Sequence, residues 1–245
     1  MQTITSVPAA LFLIFLFLIA CFLFWRHVWF FRNPARTVPN TGGIVSPADG
    51  TVVYVREVRA DEPVIVIKKG LAATIHEMAR DVVTSPKLVI GVFMSPFDVH
   101  YNRAPFSGTI EKIVRREPSG ANRHMGSMHL RTVLRLFPLY RDSMHILTNE
   151  RKVTRIRGNF YGKVLCCHVI QIAGKTVNGI DSLKSEGDWV DRGEIFGLIR
   201  IGSQVDLVVP RLPEMQIRVR EGDTVRAGES ILIESCAPES AEKER

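Results

Sequence analysis

A glycine and a serine interrupt an apolar, β-branched run near the C-terminal end of the chain, in IGSQVDLVVP, residues 201–210. Gly202-Ser203 is ordinary turn punctuation between strands. It is also a peptide bond with no Cβ beside its carbonyl and a hydroxyl on the next residue. Three other stretches concentrate reactive side chains. SPADG, residues 46–50, holds Asp49 in a proline-containing turn. MSPFDVHYNRAP, residues 94–105, packs Asp98, His100, Tyr101, Asn102 and Arg103 between two prolines, a density uncommon in a loop that only connects. A histidine set beside Asp, Asn and Arg after an apolar strand is a candidate general acid or base. SMHILTNERKV and CCHVIQIAG add His145, Asn149, Glu150, Arg151 and His168. Of these, His168 sits among apolar residues and reads first as a core histidine.

Motifs for the common cofactors are missing. The chain has no Gly-rich nucleotide loop, no His-Glu-x-x-His and no Cys-x-x-Cys, so no metal site is expected. Any reactive group must be a side chain or be made from one. Cys21, Cys166, Cys167 and Cys236 lack metal-ligand spacing, and the vicinal pair cannot close an ordinary disulfide; they read as free thiols of a reducing compartment. The net charge of +7 is spread along the chain without a block of like charges. That argues against a nucleic-acid partner and suits an anionic membrane surface.

These groups must be positioned by a chain of 245 residues, 46% of them hydrophobic, which is enough for a sizeable core. Val7 to Trp25 carries no charge, and at about 1.5 Å per residue it approaches the hydrocarbon thickness of a bilayer. It is expected to be a membrane helix. Its upstream flank, MQTITS, has no basic residue, so a removable signal peptide is the weaker reading. Arg26, His27, Arg32 and Arg36 follow it, and the positive-inside rule then places the remainder on the cytoplasmic side of the cell membrane. Residues 1–36 are thus expected to form an anchor with an interfacial aromatic flank, and 37–245 a β-rich domain. GTVVYVREV, EPVIVIKK, KLVIGVFM, GTIEKIVRRE, CCHVIQIAG and IFGLIRI read as strands. Residues 71–84 suggest a short amphipathic helix, and 115–132 a long surface loop of the kind that borders a site.

GDWVDRGE, residues 187–194, and GDTVRAGE, residues 222–229, echo each other 35 residues apart. The pattern resembles the turns of lipoyl- and biotinyl-type hammerheads. It implies a mainly β fold with minor α, a barrel-sandwich hybrid in which two half-motifs interlock. Ser203 then lies between the halves, on a strand or tight turn. Neither turn carries the lysine that a swinging-arm carrier needs.

FFRNPARTVP, SPADG, FMSPFDVHYNRAP and IGSQVD, in this order behind an N-terminal anchor, resemble the short, membrane-bound type of phosphatidylserine decarboxylase proenzyme. The resemblance runs from about residue 28 to 235. It implies that the chain cuts itself between Gly202 and Ser203 into residues 1–202 and 203–245, which stay associated. It also implies that Ser203 becomes a pyruvoyl group, the electron sink for converting phosphatidylserine into phosphatidylethanolamine and CO₂. The Ser203 hydroxyl would add to the Gly202 carbonyl in an N-to-O acyl shift, and β-elimination would then free the shorter chain. The resemblance assigns Asp49 and a histidine to self-cleavage and His100 to catalysis. Longer members of the family carry a second histidine where this chain has Arg103. Arginine is no base at ordinary pH, so Arg103, with Asn102, is assigned to the substrate's carboxylate or phosphate. The base for Ser203 is then His100, with His168 and His145 as the alternatives.

Two other classes compete. A membrane-anchored adaptor would use Gly202-Ser203 only as a turn, and a serine hydrolase would keep Ser203 intact beside an oxyanion hole. A serine phospholipid with ether-linked chains is a sibling substrate. Oligomeric state is left open.

Overall fold

The computed structural model describes residues 6–59, 62–68, 71–74, 86–175, 179–200 and 202–236. Contacts divide the chain into two units, Met1–Pro34 and Ala35–Arg245. In the first, an uncharged helix, Ser6–Phe24, runs into a π-helical turn, Trp25–Trp29. The apolar span Pro8–Trp29 is long enough to cross a membrane. At its end Arg32 lies 4.4 Å over the Trp29 ring and Arg26 5.8 Å from the Phe30 ring. Such cation–π pairs suit the headgroup boundary, where a ring is half wet and a charge is half desolvated.

The second unit is built from strands. In chain order the first eight are β1 (Ile44–Val45), β2 (Gly50–Val58), β3 (Pro63–Lys68), β4 (Leu71–Thr74), β5 (Lys87–Met94), β6 (Tyr101–Arg103), β7 (Gly108–Arg116) and β8 (Arg151–Phe160). The rest are β9 (Lys163–Ile172), β10 (Ile180–Ser182), β11 (Trp189–Val190), β12 (Ile195–Ile199), β13 (Ser203–Pro210), β14 (Met215–Ile217), β15 (Thr224–Val225) and β16 (Ile231–Ser235). An eight-stranded sheet has the order β11-β7-β8-β9-β13-β5-β2-β15, and two three-stranded sheets have the orders β1-β16-β14 and β10-β12-β6. Central β5 and β13 are buried nearly end to end because both faces of the large sheet are covered. Val205, Leu207 and Val209 join one apolar cluster and Val208 the other. This is why these strands read as continuous apolar runs rather than as alternating ones. Tyr54 lies flat across β5, and a Cβ on Gly91 would meet its ring at 2.5 Å.

The hammerhead expectation holds, and the echo seen in sequence is half of a larger one. Trp189 and Val190 pair with Thr109 and Gly108; Thr224 and Val225 pair with Thr51 and Gly50. The first partners lie in APFSGTI, residues 104–110, and the second in SPADGTV, residues 46–52, at a constant offset of 58. Gly193 N–H donates to the Ala104 carbonyl and Gly228 N–H to that of Ser46, at the same offsets. One half-motif is therefore continuous from β6 to β12. The other is split: it contains β1 to β5, is left at Met94, and is resumed at Ser203.

Two expectations need correction. Leu71–Thr74 is not helical but a strand paired with β3, because β3 supplies a hairpin partner that outweighs weak helical periodicity; residues 75–84 lie outside the described residues. The 115–132 segment is only partly loop. β7 runs to Arg116, and a helix, Gly126–Leu134, follows. Its apolar positions bury Met128 while the polar residues before it remain in the connection.

Candidate active site

Ser203 is the first residue of β13 and is fully buried. Its register partner is Met94 at the end of β5, and its hydroxyl points to the Met94 sulfur at 3.3 Å. Gly202 before it has φ +57°, and a Cβ added there would meet nothing within 4 Å. Glycine is thus required for its left-handed backbone rather than for space. The same openness leaves a face of the Gly202 carbonyl approachable. A cleft of about 200 Å³ reaches Gly202 and is lined by Phe93, Pro96, His124, His129 and Lys175 among others.

The turn after Met94 leads to His100, which is not among the residues lining the cleft at Gly202. Asp98 is its fastener: its carboxylate accepts the Ser95 N–H at 2.7 Å, and its own N–H donates back to the Ser95 carbonyl at 3.1 Å. His100 is fully buried, and its carbonyl accepts the N–H of Ile199 in the segment leading to Gly202. Its Nδ1 lies 2.9 Å from the Asp98 carbonyl oxygen. A carbonyl only accepts, so Nδ1 holds the ring proton, and Nε2 of the neutral imidazole is a proton acceptor. That is the tautomer a general base needs.

Asp49 is held by two partners, Arg36 Nη2 at 2.6 Å and the Ala227 N–H at 2.7 Å. The internal repeat separates these contacts. In the other half Ser107 takes the same place and accepts the Arg192 N–H at 2.9 Å. Accepting the turn's N–H is therefore common to both halves, whereas a carboxylate bound to a buried arginine belongs to Asp49 alone. Arg36 also binds Glu229 at 3.1 Å. By strand order, Asp49 adjoins Gly50 on β2, two strands from β13, about 10 Å away at ordinary sheet spacing.

Of the remaining sequence candidates, Asn102 stays near Ser203, its Nδ2 lying 3.8 Å from the Met94 sulfur that the Ser203 hydroxyl meets, and the others are placed elsewhere. Asn102 is buried, accepts from Gln171 Nε2 at 2.7 Å and faces the Pro47 carbonyl at 3.4 Å, so it ties SPADG to the sheet. Arg103 donates to the Gly193 carbonyl at 2.8 Å and secures a hammerhead turn. Neither is among the residues lining the cleft at Gly202. His168 pairs with Val208. It faces the opposite side of the sheet from Ser203 and lies about 17 Å along the strand, so the fold does not bring it to the Gly-Ser bond.

His145 belongs to a buried network on that opposite face. Its Nε2 is 2.9 Å from Gln204 Oε1; Gln204 Nε2 donates to Asp206 Oδ1 at 2.7 Å and to the Tyr54 hydroxyl at 3.0 Å. Burial pushes His145 down to about 4 and Asp206 up to about 7, the latter opposed by hydrogen bonds from Gln204 and Tyr54. The Tyr54 hydroxyl is raised by burial and by Asp206. Sequence reading missed this network, although polar residues at alternate positions of an apolar strand, Gln204 and Asp206, were its signal. It also missed His124, His129 and Lys175; for the two histidines the polar 115–132 segment was the available hint.

A model of the family described as phosphatidylserine decarboxylase matches residues 23–233. Among curated relatives, the phosphatidylserine decarboxylase proenzyme of Saccharopolyspora erythraea is 35% identical over 84% of this chain and 72% of its own length. That of Carboxydothermus hydrogenoformans is 31% identical over 94% of this chain and 89% of its own. A putative archaetidylserine decarboxylase proenzyme of Methanopyrus kandleri is 34% identical over 84% and 80%.

Proposed function

This chain belongs to the phosphatidylserine decarboxylase family, and from that membership we propose that it is an enzyme that cuts itself at Gly202-Ser203 and decarboxylates phosphatidylserine to phosphatidylethanolamine. One observation carries the reading. The Gly-Ser bond sits where a left-handed glycine opens onto a cleft, with a buried serine hydroxyl on one side and, on the adjoining turn, a histidine whose Nδ1 faces a carbonyl.

In self-cleavage Ser203 Oγ adds to the Gly202 carbonyl carbon as the amide nitrogen leaves, which turns the amide into an ester. A serine hydroxyl ionises far above neutral pH, so this step needs a proton acceptor, a role we assign to His100 on the turn that follows Met94, the register partner of Ser203. Loss of the Ser203 α-proton then expels the Gly202 carboxylate, and water replaces the nitrogen, releasing ammonia. Residues 1–202 and 203–245 result. β13 supports their continued association, because it lies between β5 and β9 and is hydrogen-bonded to both.

The pyruvoyl group left at position 203 supplies an electron-accepting carbonyl for loss of the substrate carboxylate. The residues present fit it: position 203 is buried, adjoins the cleft and is held rigidly at a strand start. His100 would hold a proton at this point, Lys175 at the cleft wall would attract the anionic headgroup, and His124 would offer it a ring N–H. The N-terminal span anchors the chain, with basic residues Arg26 and Arg32 favouring a cytoplasmic catalytic unit.

The test is mass spectrometry of the purified protein together with CO₂ release from phosphatidylserine. Two polypeptides, the smaller one blocked at its N-terminus, are expected. A single active polypeptide with an ordinary serine at 203 overturns the proposal. The Methanopyrus relative's name favours one second reading, a serine phospholipid with ether-linked chains. Relative turnover of the two lipids decides between them.

A further inference from the structure

The cleft that ends at Gly202 is walled on one side by the N-terminal part of the helix Gly126–Leu134, through Met125, Gly126 and His129. At about 100° per residue, the next sector of this helix past His129 holds Val133, Leu130 and Leu134. These three are 64%, 56% and 56% exposed. Phe97, on the turn that supplies Pro96 to the cleft, is 64% exposed. Leu136 and Phe137, just past the helix, are 48% and 54% exposed. So, among the described residues, a polar-ended cleft is bordered by large apolar side chains that are about half or more exposed. A water-facing enzyme mouth does not need them.

Charge indicates the occupant. Exposed Arg123, Arg135 and Arg141 border the apolar sector, and exposed His124 and Lys175 lie at the cleft itself. Apolar residues flanked by arginines, on a short helix, match the boundary between acyl chains and anionic headgroups. A second copy of this chain would bring the same arginines against themselves. We propose that the helix Gly126–Leu134 beds its Leu130, Val133 and Leu134 into the bilayer surface, so that the cleft at Gly202 opens directly onto the headgroup layer. A serine phospholipid then reaches the site by moving its headgroup inward while its acyl chains stay among the lipids. This inference rests on the decarboxylase reading. It adds a docking element separate from the N-terminal span.

The experiment uses the full chain carrying Leu130→Gln, Val133→Gln and Leu134→Gln together, with self-cleavage as the control for folding. Turnover is measured on long-chain phosphatidylserine in vesicles and on a short-chain, water-soluble phosphatidylserine. The expected result is at least a tenfold loss on vesicles and less than a twofold loss on the soluble lipid. Equal losses on both, or none on either, overturn the proposal. A second measurement does not depend on activity: Leu130→Trp, in a background with Trp25, Trp29 and Trp189 changed to Phe, is expected to be quenched by brominated acyl chains in phosphatidylserine vesicles. No quenching, or a shift in oligomeric state on triple substitution without a vesicle effect, also overturns it. If the wild-type protein releases CO₂ from neither lipid, the decarboxylase reading fails, while the quenching still decides whether the helix enters the bilayer.

Discussion

Asp206 offers a prediction whose size follows from its surroundings. Its carboxyl is fully buried beneath Tyr54 and Gln204, and burial raises it from 3.8 to about 7. An acid raised on folding holds its proton longer in the native state, so stability is greatest below pH 3.8 and falls as pH rises through about 7. A rise of roughly three units corresponds to a cost on the order of 4 kcal/mol at pH 8. His145 runs the other way. Lowered from 6.5 to about 4, it contributes stability above pH 6.5 that is lost as pH falls through 4. The two slopes oppose each other between pH 4 and 6.5, so the wild-type profile is flattened there. Asp206→Asn keeps an oxygen for Gln204 but cannot ionise, and leaves His145 to act alone. Measured by thermal unfolding in detergent at pH values from 4.5 to 8, the variant should gain on wild type as pH rises. At ~2–4 °C per kcal/mol for a domain of this size, the relative gain approaches 10 °C. Other titrating groups cancel in the comparison. A difference between the two proteins that does not change with pH would refute the reasoning, because a neutral Asp206 at every pH would have no charge to remove.

Three further outcomes follow from the site. Ser203→Ala removes the hydroxyl that must attack, so the chain should stay uncut and inactive on gels and in CO₂ release. Gly202→Ala meets no steric obstacle but carries a Cβ into a left-handed backbone with φ +57°, at a cost of about 1 kcal/mol; its processing should be slowed rather than abolished in a time course. Asp49→Ala leaves buried Arg36 with Glu229 as its carboxylate partner among the described residues, and loss of one partner of a buried pair should cost about 3 kcal/mol, read as a lower melting temperature.

Much of the frame was legible because it is written in local pattern. The apolar span, the β-branched strands and the 35-residue echo each depend on neighbours in sequence, and each is found in the fold. The repeat partner of SPADGTV was harder to see. APFSGTI keeps Pro, Gly and Thr but replaces the aspartate by Ser107, and only strand pairing makes the two equivalent. Site membership is a long-range property. Gly202, Ser203 and His100 could be nominated from residue type, but His168 and Arg103 could be as well. Arg103 is set apart by its bond to the Gly193 carbonyl, and His168 by register: one step along β9 changes the face, and five steps change the end of the strand. His129 and Lys175 had no motif to announce them, since a cleft wall needs only the right position.

The excursion that leaves one half-motif at Met94 and rejoins it at Ser203 means that the proposed self-cutting would change what kind of object the protein is. Uncut, folding is a first-order search by one molecule. Cut at Gly202-Ser203, the enzyme would be a two-component complex held together at the middle of its largest sheet, and its reassembly after denaturation would depend on concentration. The uncut form would be rescued by refolding in dilute solution; the cut form would have to find its lost strand again.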